Sequence, residues 1–250
     1  MNTIEFAALK YYNNVISDEC LYVGMLFHNL STGRVDFKHI SNFKRFQAFD
    51  DEADVTFVKH YLAGIKNQVE SNIFNYQEAF SISEYSKVYV NEFRFSNVIT
   101  INVEDNEDYV SNFSRTYLKY DLSKNKRLSK DEERKNIKRI LMTSNLEFST
   151  PKISGDYEEN VSFDYIVGDY AIKMFSFKGK NASKLVPSAK QWSFSADELK
   201  NRYNVVFLYD EDDIPSINMI LSILGKNAKV FRIQEGLEYI LKTTADRQFS

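Results

Sequence analysis

The sequence predicts an α+β protein, with an amino-terminal antiparallel sheet with helices and a carboxyl-terminal α/β unit. Three observations predict this class. They are strand-like segments in the first forty residues, helix-period apolar spacing in the segments that follow, and a strand–helix–strand–helix order at the end. Twenty Phe and sixteen Tyr, against eight Gly and three Pro, favour a folded chain with a sizeable core over a disordered one.

The first unit opens with segments that we interpret as three strands of a meander. Apolar and aromatic residues dominate them, and the turn between the second and third contains Gly33, which a tight turn requires. The predicted strands are residues 4–12, 20–30 and 34–40. A helix is predicted next, because apolar residues recur three and four positions apart after an acidic stretch that suits the positive end of a helix dipole. Those apolar residues are Val55, Val58, Leu62, Ile65 and Val69.

A predicted strand at residues 93–103 and a predicted helix at residues 108–120 complete the first unit. The residues that follow, 121–130, have almost no apolar content, and their composition is typical of a linker. We therefore place the domain boundary inside this stretch. The two predicted domains are residues 1–122 and residues 123–250.

The second unit is predicted to begin with a helix and to end in a βαβα run. Ser129 and Glu132 have the spacing of a capping box, so the first helix is predicted at residues 130–143. A second pair with this spacing, Ser195 and Glu198, predicts another helix start. The remaining predicted elements are a hairpin at 161–177, a strand at 204–209, a helix at 214–224, a strand at 229–233 and a helix at 234–242.

Short segments of the first unit carry a family resemblance. They are residues 6–11 with 19–27, which read FAALKY and ECLYVGMLF, and residues 95–100, FSNVIT, with Glu107, Asp108, Phe113 and Leu118 after them. Together they resemble the bacterial domain-of-unknown-function family 3037 over about residues 4–120. This chain has Tyr22 where that family prefers Asn. The family has no established activity, so the resemblance implies a fold and no functional residues. Gly24 indicates a close backbone approach or a bulge in its strand.

The hairpin predicted at residues 161–177 carries the candidates for chemistry, which are Asp164, Asp169 and Lys173. Nucleases of the restriction-endonuclease type place an Asp on one strand and a Glu-x-Lys on the next. Two carboxylates then bind Mg²⁺ while the Lys orients the attacking water. Ala171 occupies the position of the Glu, so one carboxylate is missing. Asp169 replaces it if residues 169, 171 and 173 share one face of a strand.

Three interpretations of this hairpin stay open. In the first, Asp164, Asp169 and Lys173 form an active site, with Asp164 and Asp169 as the Mg²⁺ ligands. In the second, the unit is a degenerate and inactive relative of the nuclease fold, whose order of elements it resembles. In the third, these are ordinary turn and surface residues. An acidic run at residues 210–213 is either a metal-binding cluster or the cap of the next helix.

A basic run between residues 124 and 139 is the part of the chain best suited to contact phosphates. Its candidates for nucleic-acid binding are Lys126, Arg127, Arg134, Lys138 and Arg139. Acidic residues at 131–133 interrupt this run, so a solvated helix face is the alternative interpretation.

Composition limits the classes of function. A formal charge of −3 gives no general attraction to nucleic acid or anionic membranes, and the apolar runs are too short for a transmembrane helix. A single cysteine, Cys20, and no secretory pattern at the amino terminus predict a cytoplasmic protein without a disulfide.

From these limits we expect a bacterial or phage-type cytosolic protein that is not an enzyme. It would act as an interaction module with a protein partner, with no cofactor and no membrane association. One alternative is a Mg²⁺-dependent nuclease acting on DNA or RNA, which would use the candidate residues of the hairpin. The other is a protein that binds nucleic acid through the basic run without cleaving it.

Overall fold

Two units make up the chain in the computed structural model. Unit 1 is Met1–Thr143 and unit 2 is Ser144–Ser250. The structure describes residues 1–14, 19–71, 80–142, 148–149, 152–154, 160–177, 182–210 and 217–248. Unit 1 is built on an antiparallel sheet and unit 2 on a mixed sheet, so the predicted α+β class is confirmed.

Unit 1 begins with three strands and continues with a group of helices, a pair of strands and further helices. The first elements are β1 (Asn2–Tyr11), β2 (Leu21–Asn29), β3 (Val35–His39), α1 (Lys44–Phe49), α2 (Val55–Glu70) and α3 (Ile82–Ser86). The later elements are β4 (Phe93–Phe95), β5 (Ile99–Val103), α4 (Tyr109–Tyr117), two 3-10 turns (Lys119–Asp121 and Lys124–Lys126) and α5 (Lys130–Met142). The predicted meander of three strands and the helix after it are both confirmed.

Strand β1 lies at the centre of the sheet of unit 1. It pairs antiparallel with β2 on one side and with β4 and β5 on the other, and β2 pairs with β3. The single strand predicted at residues 93–103 is therefore wrong. It is interrupted after β4, where the Ser96 hydroxyl accepts the Ala8 N–H over 2.9 Å and occupies the position of a strand carbonyl. The largest buried side chains of this unit are aromatic, and they include Phe6, Phe27, Phe37, Phe46 and Phe113.

Gly24 is required because a ring packs directly on its backbone. A Cβ atom at this position would lie 2.6 Å from the nearest ring carbon of Phe37, closer than real Cβ contacts allow. The pairing of β1 with β2 also shifts register between Leu9 and Lys10, next to the partner of Gly24. Both features that the sequence indicated for Gly24, a close approach and a bulge, are present.

Helix α5 belongs to unit 1, because its buried side chains face helix α4. The capping box is confirmed, since the Ser129 N–H donates to Glu132 Oε2 over 2.8 Å and the Glu132 N–H to Ser129 Oγ over 3.3 Å. Asn136 Nδ2 donates to Thr116 Oγ1 over 2.9 Å in a buried contact between the two helices. The units therefore divide after Thr143 and not at the predicted 122/123 boundary. The polar stretch that was predicted to be a linker is a connection inside unit 1, and this connection contains two short 3-10 turns.

Unit 2 contains a five-stranded mixed sheet with helices between its parallel strands. Its elements are β6 (Phe148–Ser149), β7 (Lys152–Ser154), β8 (Asn160–Ser162), β9 (Tyr165–Val167), β10 (Tyr170–Phe175), α6 (Ala182–Leu199), β11 (Asn204–Tyr209), α7 (Ile217–Leu224), β12 (Lys229–Arg232) and α8 (Ile233–Gln248). The strand order is β12-β11-β10-β9-β6, in which β10, β11 and β12 run parallel and β9 is antiparallel to both neighbours. The predicted hairpin and βαβα end are confirmed.

Helix α6 is longer than the sequence indicated. It runs through Pro187 and continues past Ser195, so the helix start predicted there is wrong. Ser195 is buried within the helix, where its Ser-x-x-Glu spacing has no capping role. Among the described helices of both units, none has the length and hydropathy that a bilayer crossing requires.

Candidate functional site

The hairpin of β9 and β10 brings two of the three candidate residues together. Asp164 lies just before β9, and its backbone N–H donates to the Ile172 carbonyl over 2.9 Å. Its Oδ2 accepts the Met174 N–H over 2.8 Å, beyond the last residue of β10 that pairs with β9. Lys173 Nζ lies 3.3 Å from the same oxygen and donates to the Ser162 carbonyl over 3.1 Å. One carboxylate oxygen therefore satisfies both a strand N–H and the lysine.

An aromatic ring from α6 lies beside the cation of this pair. Lys173 Nζ is 4.7 Å from the centre of the Trp192 ring, which is a cation–π distance. The Lys173 and Asp164 side chains are 22% and 18% exposed, so most of the pair is removed from water. Removing either partner would leave the other poorly compensated. Trp192 itself is held edge-on by Phe163, Phe175 and Phe207.

Asp169, the third candidate, lies at the other end of the hairpin. It follows Gly168, which takes the left-handed backbone conformation at φ +55°, and it precedes the first residue of β10. Its carboxylate accepts the Asn204 side-chain amide over 2.6 Å, and its carbonyl accepts the Asn204 N–H over 2.8 Å. It lies four positions before Lys173, which is about 13 Å along an extended strand. The hypothesis that Asp169 replaces the missing Glu is therefore not supported by this geometry.

Ala171 occupies the position where the nuclease pattern requires a Glu, and its side chain is fully buried. It belongs to the hydrophobic core of unit 2, together with Phe163, Ile166 and Phe207. A Glu side chain at this position would displace these neighbours and would lose the hydration of its charge. The position of the second carboxylate is thus part of the core, and the hairpin residues do not fit a two-carboxylate Mg²⁺ site.

Within the described ranges, no group of three or more His, Cys, Asp or Glu side chains is arranged to hold a metal ion. Of the acidic run that follows β11, only Asp210 belongs to the described residues. Its other members, Glu211, Asp212 and Asp213, lie outside the described residues. The hypothesis of a metal-binding cluster there stays a prediction.

Arg139, one of the basic candidates, is used inside unit 1. Its Nη2 donates to Glu107 Oε2 over 2.8 Å and to the Asn102 carbonyl over 3.2 Å. Its guanidinium also lies 5.6 Å from the centre of the Phe113 ring. The hydrogen bond from Arg139 holds the pKa of the Glu107 carboxyl below its ordinary value, and a further bond from Asn112 acts in the same direction. Arg139 therefore joins α5 to the loop before α4.

The other basic candidates separate into two groups. Arg127 packs inward, with its Nε donating to the Leu122 carbonyl over 3.1 Å and its guanidinium 4.9 Å from the centre of the Tyr120 ring. Lys126, Arg134 and Lys138 are exposed, the last two on the outer face of α5. The structure therefore does not gather the five candidates into one phosphate-binding surface.

Unit 1 has a cavity of about 420 Å³ that sequence reasoning missed. It lies where β3, α4 and the two 3-10 turns meet, and three of its lining residues are basic. The lining residues are Lys38, Ser111, Ser114, Arg115, Leu118, Asp121, Leu122 and Lys126. The basic run pointed to Lys126, but Lys38 and Arg115 are distant in sequence and carry no motif. Only the fold brings them to the same cavity.

No protein-family model matches the chain, and the searches of curated proteins and of solved structures find no match either. The resemblances to family 3037 and to the nuclease core therefore stay predictions.

Proposed function

We propose that this protein is a non-enzymatic interaction module whose second unit is a degenerate nuclease-like fold. The observation that carries the proposal is the bonding of Asp164 Oδ2, which accepts the Met174 N–H and pairs with Lys173. In an active nuclease these groups face a metal ion and a water molecule. Here they stabilise their own hairpin, and Ala171 closes the place of the second ligand. This role needs no cofactor.

Exposed apolar side chains in unit 1 support a protein partner. Phe57, Val88 and Val90 are 60%, 75% and 65% exposed, which is high for large apolar residues. Tyr61 lies beside Phe57: its ring stacks on the Phe57 ring at 6.0 Å, and its pKa is raised by burial and by the nearby phenol of Tyr89, which stands between Val88 and Val90 in the chain. We call Phe57, Tyr61, Val88 and Val90 the apolar patch. Apolar patches of this kind are typical of contact surfaces between proteins.

Site-specific photo-crosslinking tests this proposal. A benzoyl-phenylalanine placed at Phe57 is expected to crosslink one defined protein in an extract of the cells that encode this chain. The same probe at Phe194, an equally large residue that is 53% exposed in unit 2, is the matched control. A crosslink at Phe57 that disappears in Val90→Glu supports the proposal. Equal labelling from both positions, or none, contradicts it.

Nucleic-acid binding without cleavage is a second candidate, favoured by the exposed basic side chains of α5. Arg134 and Lys138 are one helical turn apart and exposed, although Asp131 and Glu132 share the exposed surface of the same helix. Binding of this kind weakens steeply with salt, because each phosphate contact releases counterions. Binding of an oligonucleotide that shows this salt dependence, and that is lost in Arg134→Glu with Lys138→Glu, would favour this candidate over the first.

A further inference from the structure

The cavity of unit 1 has the size of a site for a small molecule. Its volume of about 420 Å³ falls within the range of ligand pockets. Leu118 and Leu122 form an apolar part of the wall, and the hydroxyl-bearing residues Ser111 and Ser114 lie in the polar part. An apolar wall combined with a few polar groups is the usual composition of such a pocket.

Charge in this cavity is mainly positive. Lys38, Arg115 and Lys126 contribute three cations, against the single carboxylate of Asp121. That carboxylate is already bonded, because Oδ1 accepts the backbone N–H groups of Ser41 and Asn42 over 2.7 and 2.6 Å, and Oδ2 accepts the Ser41 hydroxyl over 2.9 Å. Within the described ranges, neither lysine has a carboxylate at ion-pair distance. An anion that entered the cavity would therefore meet two lysines, Lys38 and Lys126, that lack a carboxylate partner among the described residues.

Two further features of the cavity favour ligand binding, one a hydrogen bond in its wall and the other a buried hydroxyl. Arg115 Nη2 donates to the Lys126 carbonyl over 3.1 Å, which fixes the second 3-10 turn against α4. Ser114 is 5% exposed, and its hydroxyl has no hydrogen-bond partner among the described residues. A buried hydroxyl without a partner is unusual in a native protein. Because Ser114 lines the cavity, a rotation of its side chain would bring this hydroxyl to a ligand oxygen.

We propose that this cavity binds a small phosphate monoester through Lys38, Arg115 and Lys126, with its organic part against Leu118 and Leu122. A phosphate monoester carries a charge of about −1.5 to −2 at pH 7, which matches three cations better than a monocarboxylate does. This site does not involve the apolar patch or the hairpin, so it stands or fails separately from the proposed function.

Titration of the full chain with inorganic phosphate, adenosine 5′-monophosphate and adenosine tests this inference by calorimetry. We expect saturable binding of phosphate, tighter binding of the monophosphate, and a loss of about tenfold or more for adenosine. Lys38→Ala combined with Lys126→Ala should weaken both phosphate ligands by about tenfold or more. Both lysines are exposed, so the double variant is expected to keep the thermal stability of the wild type.

Lys135→Ala, an exposed lysine of α5 that does not line the cavity, is the matched control and should leave binding unchanged. Failure of inorganic phosphate to bind overturns the site, as does binding that survives in the double variant. A monophosphate that binds no tighter than phosphate overturns the role given to Leu118 and Leu122.

Discussion

The hairpin of unit 2 and the cavity of unit 1 both gather charged side chains, but those charges meet different partners. In the hairpin, Asp164 and Lys173 bond to each other and to the backbone around them. In the cavity, the carboxylate of Asp121 is bonded to backbone and hydroxyl donors, while Lys38 and Lys126 line open space. The comparison teaches that residue type alone does not mark a site. What matters is whether the polar atoms already have partners in the folded chain.

The largest effect is expected from restoring the nuclease pattern with Ala171→Glu. A carboxylate placed in the core of unit 2 should lower the free energy of unfolding by more than about 3 kcal/mol, because it is buried without a partner. Urea unfolding followed by fluorescence of Trp192, the single tryptophan, measures the effect in unit 2. Ala171→Gln separates added volume from added charge and should be less destabilising. Recovery of stability on adding Mg²⁺ would mean that residue 171 reaches a metal site with Asp164.

Asp164→Ala should lower the free energy of unfolding of unit 2 by about 2–3 kcal/mol. It removes the acceptor of the Met174 N–H and the partner of Lys173, and hydrogen bonds to charged groups have values of this size. Asp164→Asn keeps an acceptor and should cost less. The matched control is Asp197→Ala, whose exposed pair with Lys200 should contribute less than about 1 kcal/mol. Equal losses in the two alanine variants would show that the hairpin pair is an ordinary surface pair.

A smaller effect is expected at Glu107, which holds Arg139 away from any phosphate-binding role. Its pKa is lowered below the ordinary value of 4.5, mainly by the hydrogen bond from Arg139. The resulting stabilisation is complete above the unfolded pKa and is lost as pH falls through the lower folded value. Glu107→Gln should therefore cost about 1–2 kcal/mol at pH 7 and should flatten the fall in stability below pH 4.5. Thermal unfolding by circular dichroism, with the exposed Glu104→Gln as control, measures this. An unchanged acid limb would contradict it.

Local pattern accounted for most of the fold. The helix-period stripe of α2, the capping box at Ser129 and the hairpin turn at Gly168 all follow from short-range chemistry that a sequence displays. The wrong predictions arose where tertiary contacts override local signals. Ser96 breaks a strand by bonding to β1, and Ser195 lies buried inside a helix despite its capping spacing.

The candidate site could be predicted only in part. Asp164 and Lys173 face each other across a hairpin, which strand pairing makes predictable. The position of Asp169 depended on where the turn lies: Asp169 directly follows Gly168 and bonds to Asn204, about 13 Å along the strand from Lys173. The cavity was beyond prediction, because Lys38, Arg115 and Lys126 are brought together by three separate elements of unit 1.

The most direct test of the central claim, that the hairpin pair is structural and not catalytic, is a cleavage assay. Labelled single- and double-stranded DNA and RNA would be incubated with the full chain, with and without Mg²⁺ or Mn²⁺, beside Asp164→Asn. We predict no metal-dependent cleavage by either protein. Cleavage that requires the metal and is lost in Asp164→Asn would contradict the claim, because it would make Asp164 a metal ligand of a working nuclease.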